Sequence, residues 1–232
     1  MQKNNPMRFR NSFPFVFILV FVFVVIVVLS YQGCRSGKEI TQTNSNTVVA
    51  NECNDFGNLD PDSEKGRSNQ LKNRAIIEKK PVRKISVSEF LKSGEDSAWF
   101  NKEDLDDYVC VEAILISGED QGPESCNCDL ASEKNHDGDI HFYLSDRPDA
   151  KKYESFIAEI TPKYRAKYGA IKENAYNTKC VKIYGYLFYD KEHRKNSINT
   201  CKTCDKANPN PRSIWRNTCW EIHPVVKIEV LD

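Results

Sequence analysis

The chain has 232 residues, enough for one domain with extensions or for two small ones, and its 33 Lys and Arg balance its 33 Asp and Glu. That balance excludes a global electrostatic attraction to nucleic acid or to an anionic membrane surface, so a phosphate-tracking groove would need local basic clustering. Nine cysteines suit an oxidising compartment or metal binding better than a reduced cytosol.

Residues 1–12 carry Lys3, Arg8 and Arg10 and read as a cytoplasmic N-terminus. Residues 13–30 follow without a charge, built almost entirely from Phe, Val, Ile and Leu. At about 1.5 Å per residue this run spans roughly 27 Å as a helix, close to the hydrocarbon thickness of a bilayer. It is expected to be a transmembrane segment acting as a signal anchor. A cleaved signal peptide has a shorter apolar core and a small-x-small site, which Tyr31-Gln32-Gly33 does not offer. Gly33-Cys34 resembles the end of a bacterial lipoprotein signal and makes Cys34 a lipidation candidate, although Tyr31 and Gln32 stand where that signal has Leu and a small residue. Either anchor places the remainder on the extracytoplasmic side, in a periplasm or at a cell surface, with the membrane as its first partner.

Residues 31–84 show no sustained hydrophobic period and read as a disordered, solvated tether in which Cys53 is the one unusual residue. The basic run Lys79-Lys80-Pro81-Val82-Arg83-Lys84 reads as a solvated charge run rather than a phosphate site. The globular part is expected over 85–232. Ser86 with Glu89 forms a capping-box pattern for a short helix through about Leu91. Period-two alternation then marks strands at 108–117, 139–144, 155–161, 180–189 and 218–232, with a helix expected over 162–176 after the third. In the last strand Trp220, Ile222, Val226, Ile228 and Val230 make an apolar face against Glu221, His223, Lys227 and Glu229. Pro224 inside it signals an edge, bulge or bend, and Gly185 does the same for the fourth strand. The order β-β-β-α-β-β matches a mainly β, OB-like five-stranded barrel.

In that barrel the loops at 118–138 and 191–217 lie beside the usual ligand face, and each carries a cysteine pair. Cys126, Cys128, Cys201 and Cys204 together offer either a structural zinc site or a pair of disulfides, and an oxidising setting favours disulfides. A redox-active Cys201-x-x-Cys204 lacks the strand-to-helix setting that depresses a thiol pKa. Cys110, Cys180 and Cys219 lie in strands and can add a bridge, for example Cys110 to Cys180 or to Cys219.

Three of the four histidines sit beside carboxylates, in Asp139-Ile-His141, Asp190-Lys-Glu-His193 and Glu221-Ile-His223. The topology should gather Asp139, His141, Asp190, His193, Glu221 and His223 at one pole. There they can pair structurally, hold a divalent metal such as zinc, or act as general acid and base. His136, in a polar loop, reads as exposed. Tyr143, Tyr184, Tyr186 and Phe188 could form a stacking face for single-stranded nucleic acid.

The series Asp139-Ile-His141, Ile157-Ala-Glu159-Ile160, Gly185-Tyr-Leu-Phe-Tyr-Asp190-Lys-Glu-His193 and Trp220-Glu-Ile-His223-Pro224-Val225 resembles a group of uncharacterised bacterial secreted or membrane-anchored proteins. Their shared pattern ends in Glu-Ile/Leu-His-Pro-Val. The resemblance spans roughly 105–232 and departs at Thr161, where the pattern has Pro. It implies the domain and no secure activity. The expected function is therefore an OB-like binding or structural domain of unassigned ligand. Metal-assisted hydrolysis of phosphodiesters, or binding of single-stranded nucleic acid or oligosaccharide, are the alternatives.

Overall fold

A computed structural model describes residues 53–79, 81–92, 108–122, 124–128, 138–169, 171–172 and 174–231. The expected membrane segment at 13–30, Cys34 and His136 lie outside them. Among the described residues no helix is long and apolar enough to cross a membrane.

A three-residue strand β1 (Arg83–Ile85), two of whose residues were expected in the tether, precedes the strands that period-two alternation marks, β2 (Tyr108–Asp120), β3 (Ile140–Ser145), β4 (Phe156–Ile160), β5 (Cys180–Tyr189) and β6 (Trp220–Leu231), and the helices are α1 (Glu64–Lys72), α2 (Val87–Lys92) and α3 (Pro162–Tyr168). Each strand of the β2-β3-β4-β6-β5 series pairs with the next, and β5 pairs back onto β2. This closes a five-stranded barrel. All its pairings are antiparallel except β4 with β6. The short β1 adds in parallel to β2. The chain is mainly β with few helices, consistent with the OB-like barrel that the element order predicted.

The barrel interior takes one side of every strand: Val109, Val111 and Leu115 from β2, Phe142 and Leu144 from β3, Phe156, Ala158 and Ile160 from β4, Ile183 and Leu187 from β5, Ile222 and Val226 from β6. Burying each large apolar side chain contributes about 1.5–3 kcal/mol relative to exposure. Helix α2 adds Phe90, stacked on Phe156 with ring centroids 4.1 Å apart. Its capping box forms as its sequence predicted, with the Ser86 amide donating to Glu89 at 2.8 Å and the Glu89 amide donating to Ser86 Oγ at 3.2 Å.

The barrel bends where β5 crosses β6. An added Cβ at Gly185 would lie 2.4 Å from Ile222 Cγ2 and 2.5 Å from Pro224 O, so only glycine admits this approach. The β5–β6 register shifts on both sides of Gly185, which puts Pro224 in an irregular stretch where its missing N–H breaks no regular ladder.

Three expectations change. The helix expected over 162–176 ends at Tyr168, because Gly169 takes φ 91° there and stops the hydrogen-bond ladder. Residues 53–79, expected as part of a disordered tether, fold instead. Helix α1 is capped by Ser63, which accepts from the Gly66 amide, and Asn73 donates to Cys126 O at 2.7 Å. A disulfide joins Cys53 to Cys128 across 75 residues. The third is the strand β1, of which Arg83 and Lys84 were expected in the tether.

Candidate functional site

The outer faces of β3, β4 and β6 carry the polar residues, and alternation fixes which ones. His141 and Glu159 are opposite each other in the β3–β4 register, while Glu221 of β6 lies between Ile157 of β4 and Phe188 of β5. The chain between β5 and β6 folds over this face. Ile214, Arg216, Thr218 and Cys219 are fully covered, and the Ile198 and Asn217 amides donate to Arg216 O and Ser155 O. The segment at 53–79 covers the rest, with Arg74 donating to Leu187 O at 3.1 Å and to His223 O at 3.3 Å.

Beneath this cover lies one continuous polar network. Arg216 donates from one guanidinium nitrogen to Glu221 Oε2 at 2.8 Å, from another to Asp190 Oδ2 at 2.6 Å, and from Nε to Ser197 Oγ at 3.0 Å. His193 Nδ1 meets the same Asp190 oxygen. His223 Nδ1 is aligned with Glu221 Oε1 at 3.2 Å and also lies 2.7 Å from Glu159 Oε2. Glu159 Oε1 is 3.0 Å from His141 Nε2. Both Glu159 approaches are close ionic contacts rather than aligned hydrogen bonds, since Glu159 Oε2 and His141 Nε2 have no hydrogen-bond partner among the described residues. His223 Nε2 faces Asp139 Oδ2 at 3.9 Å. Cys126 Sγ is 3.8 Å from that same oxygen and 3.3 Å from Glu124 Oε2.

Electrostatics follow from burial. Loss of water pushes Asp139 up to about 7, with His223 pulling it back and Glu159 adding to the rise. Burial and the neighbouring Glu159 also raise Glu221. Burial would raise Glu159 too, but His223 and His141 outweigh it and hold that carboxyl well below the usual range. The imidazoles respond in kind. Burial opposes their charge, yet Glu159 prevails, raising His141 and carrying His223 up to about 10. Lys72 is raised in the same way by Glu159 and Glu124 against burial. Burial and then Asp139 push the Cys126 thiol far above the ordinary thiol range.

The sequence-predicted cluster is therefore real as a grouping. Asp139, His141, Asp190, Glu221 and His223 are brought into one network, and His193 caps it from a half-exposed position. Its place differs from the expectation: it lies on the outer barrel face under a folded loop, not at an open pole. Reasoning from His-plus-acid pairs missed Glu159, Arg216, Lys72 and Glu124. Glu159 stood in the Ile-Ala-Glu-Ile stretch, but its partnership with His141 is set by the β3–β4 register and leaves no mark in the local sequence. Arg216 sits in a loop without periodicity, so no local pattern marks it.

The cysteine expectations change more. Cys128 is bridged, but to Cys53 rather than within the two loops. Cys110, Cys126, Cys201, Cys204 and Cys219 keep free thiols, and Cys180 is disulfide-bonded. The expected four-sulfur site of Cys126, Cys128, Cys201 and Cys204 does not form, because Cys128 is consumed by a partner in the segment before the barrel. Bridges from Cys110 to Cys180 or Cys219 are likewise absent. The stacking face is absent too: Tyr143, Tyr186 and Phe188 are buried, Phe188 against His223 and Tyr186 under Arg74, with Tyr184 hydrogen-bonded to Glu229.

A cleft of about 900 Å³ opens above the network. One wall is α1, another is the loop after β2 with Gln121, Gly122, Glu124 and Ser125, and a third is Asp190–His193 after β5. Phe188, Asp190 and Lys72 form its floor. Lys72 Nζ is 3.4 Å from Glu124 Oε2 and lies over the Phe188 ring. Ion pairs Lys65–Glu192 and Lys191–Glu64 cross the mouth from α1 to the β5–β6 loop, at 3.5 and 3.0 Å. The site can bind a small polar ligand in the cleft or a cation in the network. Hydrolysis of a bulk substrate at the network is sterically closed, since Asp139 and Glu221 are 0 % exposed and His223 1 %.

No family model and no curated protein matches the chain. Among solved structures it is similar to a putative aspartyl-tRNA synthetase from Leishmania major Friedlin, at 14% identity and a TM-score of 0.31, over 66% of this chain and 21% of that one. The chain thus spans about a fifth of that protein's length.

Proposed function

We propose that this protein is a membrane-tethered, extracytoplasmic OB-like binding domain, and that its ligand occupies the cleft between α1 and the two loops after β2 and β5. The observation that carries the reading is the cleft's position. OB-like barrels take oligonucleotides and oligosaccharides between the loop joining their first two strands and the loop joining their last two, and those loops form two walls here. The apolar run at 13–30 supports the tether, and the Cys53–Cys128 bridge supports an oxidising compartment.

The lining favours one ligand class. Lys65, Arg67, Lys72 and Lys191 alternate with Glu64, Glu124, Asp190 and Glu192, so a polyanion meets as much repulsion as attraction. Asn69, Gln121, Ser68 and Ser125 supply hydrogen-bonding groups around Phe188 and Tyr189. Evenly paired charges with side-chain amides and hydroxyls suit an uncharged, polyhydroxylated ligand of the oligosaccharide class.

The full chain, solubilised in mild detergent, is tested against an array of neutral oligosaccharides, acidic oligosaccharides and single-stranded oligonucleotides. Retention of neutral oligosaccharides by the wild type and its loss in Ser68→Trp, which fills the cleft from the helix surface at unchanged thermal midpoint, is expected. Retention of oligonucleotides alone, or binding untouched by Ser68→Trp, contradicts the reading.

A further inference from the structure

We infer that Cys201 and Cys204 form a thiol–disulfide exchange site, in which Cys201 is the attacking sulfur, Cys204 the resolving one, and the substrate a peptide disulfide. The site lies in the β5–β6 loop and is independent of what the cleft binds.

Accessibility singles out this pair. Of the five free thiols among the described residues, Cys110, Cys126 and Cys219 are each at most 3 % exposed and shut off from a substrate. Burial also raises Cys110 and Cys126, which makes them poor nucleophiles. Cys201 and Cys204 are half-buried, and Lys202, Thr203 and Asp205 beside them are exposed, so a disulfide can approach the pair from solvent.

The chain around the pair is held in place. The Cys201 amide donates to Ser197 O at 2.9 Å and Thr200 Oγ1 donates to Arg194 O at 2.5 Å, which fastens the start of the turn to the folded loop. Asp205 Oδ1 accepts from the Ala207 and Asn208 amides at 2.9 and 3.2 Å and fixes its end. Between these anchors the Cys204 amide donates to Cys201 Sγ at 3.1 Å, and Cys204 Sγ lies 3.7 Å from Cys201 O. Cys204 is thus folded back onto Cys201.

The turn does locally what a strand-to-helix setting would do. A backbone N–H aimed at a sulfur favours the thiolate over the thiol, as a helix N-terminus does. The Cys204 thiol, donating to the Cys201 sulfur, has the largest influence; partial burial opposes it, and the Thr203 and Cys204 amides with the Thr203 hydroxyl add to it, so that the Cys201 thiol is held below its ordinary range. Cys204 moves the other way, raised by burial and by the Cys201 sulfur. Cys201 is therefore the thiolate that attacks, and Cys204 keeps its proton until a mixed disulfide has formed.

Exchange runs as two displacements. The Cys201 thiolate attacks one sulfur of the substrate disulfide; the substrate S–S bond breaks, a bond from Cys201 to that sulfur forms, and the other substrate sulfur leaves as a thiolate that takes up a proton. Cys204 then releases its proton and attacks Cys201 Sγ, expelling the second substrate thiolate, which is protonated in turn. The dithiol has lost two electrons and two protons, and one disulfide has become two thiols. A second dithiol reverses the steps and restores the pair.

The test uses the full chain in mild detergent, with Cys201 and Cys204 reduced by limited dithiothreitol and oxidised glutathione as the disulfide probe. Tryptic cleavage after Lys202 places the two cysteines on separate peptides, so each is read on its own. In the wild type, iodoacetamide at pH 7 is expected to alkylate Cys201 at least about threefold faster than Cys204, with a pH midpoint for Cys201 below the ordinary thiol value of about 8.5. Oxidised glutathione should leave a glutathione adduct on Cys201 in Cys204→Ser, whereas the wild type should pass on to a Cys201–Cys204 bond that dithiothreitol reopens in the folded chain. Circular dichroism checks the folding of each variant, and the alkylation rates need none. Equal alkylation of the two thiols, or a glutathione adduct that forms as fast on Cys204 in Cys201→Ser as on Cys201 in Cys204→Ser, overturns the site. A Cys201–Cys204 bond that stays closed until the chain is denatured overturns it too, since such a bond only staples the loop.

Discussion

Arg216 ties the covering loop to the barrel through Asp190 and Glu221 while itself 0 % exposed. Removing one member of such a buried set leaves two carboxylates without their partner, so Arg216→Met is expected to cost about 3–5 kcal/mol in denaturant unfolding. A loss under about 1 kcal/mol, the range of exposed pairs, contradicts the network's structural role. Asp190 offers a pH test with a definite sign. Burial raises it, but its bond to His193 and the Arg216 charge outweigh that and hold it below the ordinary carboxylate range. A depressed carboxyl stabilises above its unfolded value of about 4 and loses that contribution as pH falls through its folded value. The gap in unfolding midpoint between wild type and Asp190→Asn should therefore be constant from neutrality down to about pH 5 and shrink below about pH 4. At this scale the sequence was readable wherever a His stood two or three positions from an acid along the chain. Glu159, Lys72 and Arg216 were not, because their partners are set by strand register and loop folding rather than by neighbours along the chain.

Among the elements, the β5–β6 crossing has the least tolerance. Gly185→Ala drives a methyl into Ile222 and the Pro224 carbonyl, and neither can move without opening the barrel. A loss of at least about 3 kcal/mol is expected in thermal or denaturant unfolding, and a neutral result would show that the crossing can relax. The segment carrying α1 depends on different forces. Few apolar groups hold it, so the Cys53–Cys128 bridge constrains it. Closing a loop of that length limits the unfolded chain by up to about 4 kcal/mol on the chain-entropy model, and Cys53→Ser should lower the thermal midpoint accordingly. An unchanged midpoint would mean that Asn73, Lys72 and Arg74 suffice. The five barrel strands were legible because their sequences alternate, whereas β1, only three residues long, was not. Helix α1 was not, since its nine residues, Glu64–Lys72, are mostly polar and carry no apolar stripe. Its role as a cover is visible only through Asn69, Asn73 and the bridge.

At the scale of the whole molecule two layers divide the labour. The barrel interior supplies hydrophobic stability, and the outer face, roofed by the β5–β6 loop and the α1 segment, houses the polar network and the cleft. Element order alone announced the first layer, because a single helix between the third and fourth strands restricts how five strands can close. The second layer was hidden: a long, Asn- and Pro-rich loop and a polar leading segment look like solvated chain until their side chains are seen to satisfy buried groups on the barrel. The same layering places ligand recognition at the seam between the layers. Amide hydrogen exchange of the full chain, with and without a saturating neutral oligosaccharide, tests this most directly. Protection confined to α1, residues 121–125 and residues 188–193 is the predicted result; protection elsewhere, or none at saturation, would contradict the account.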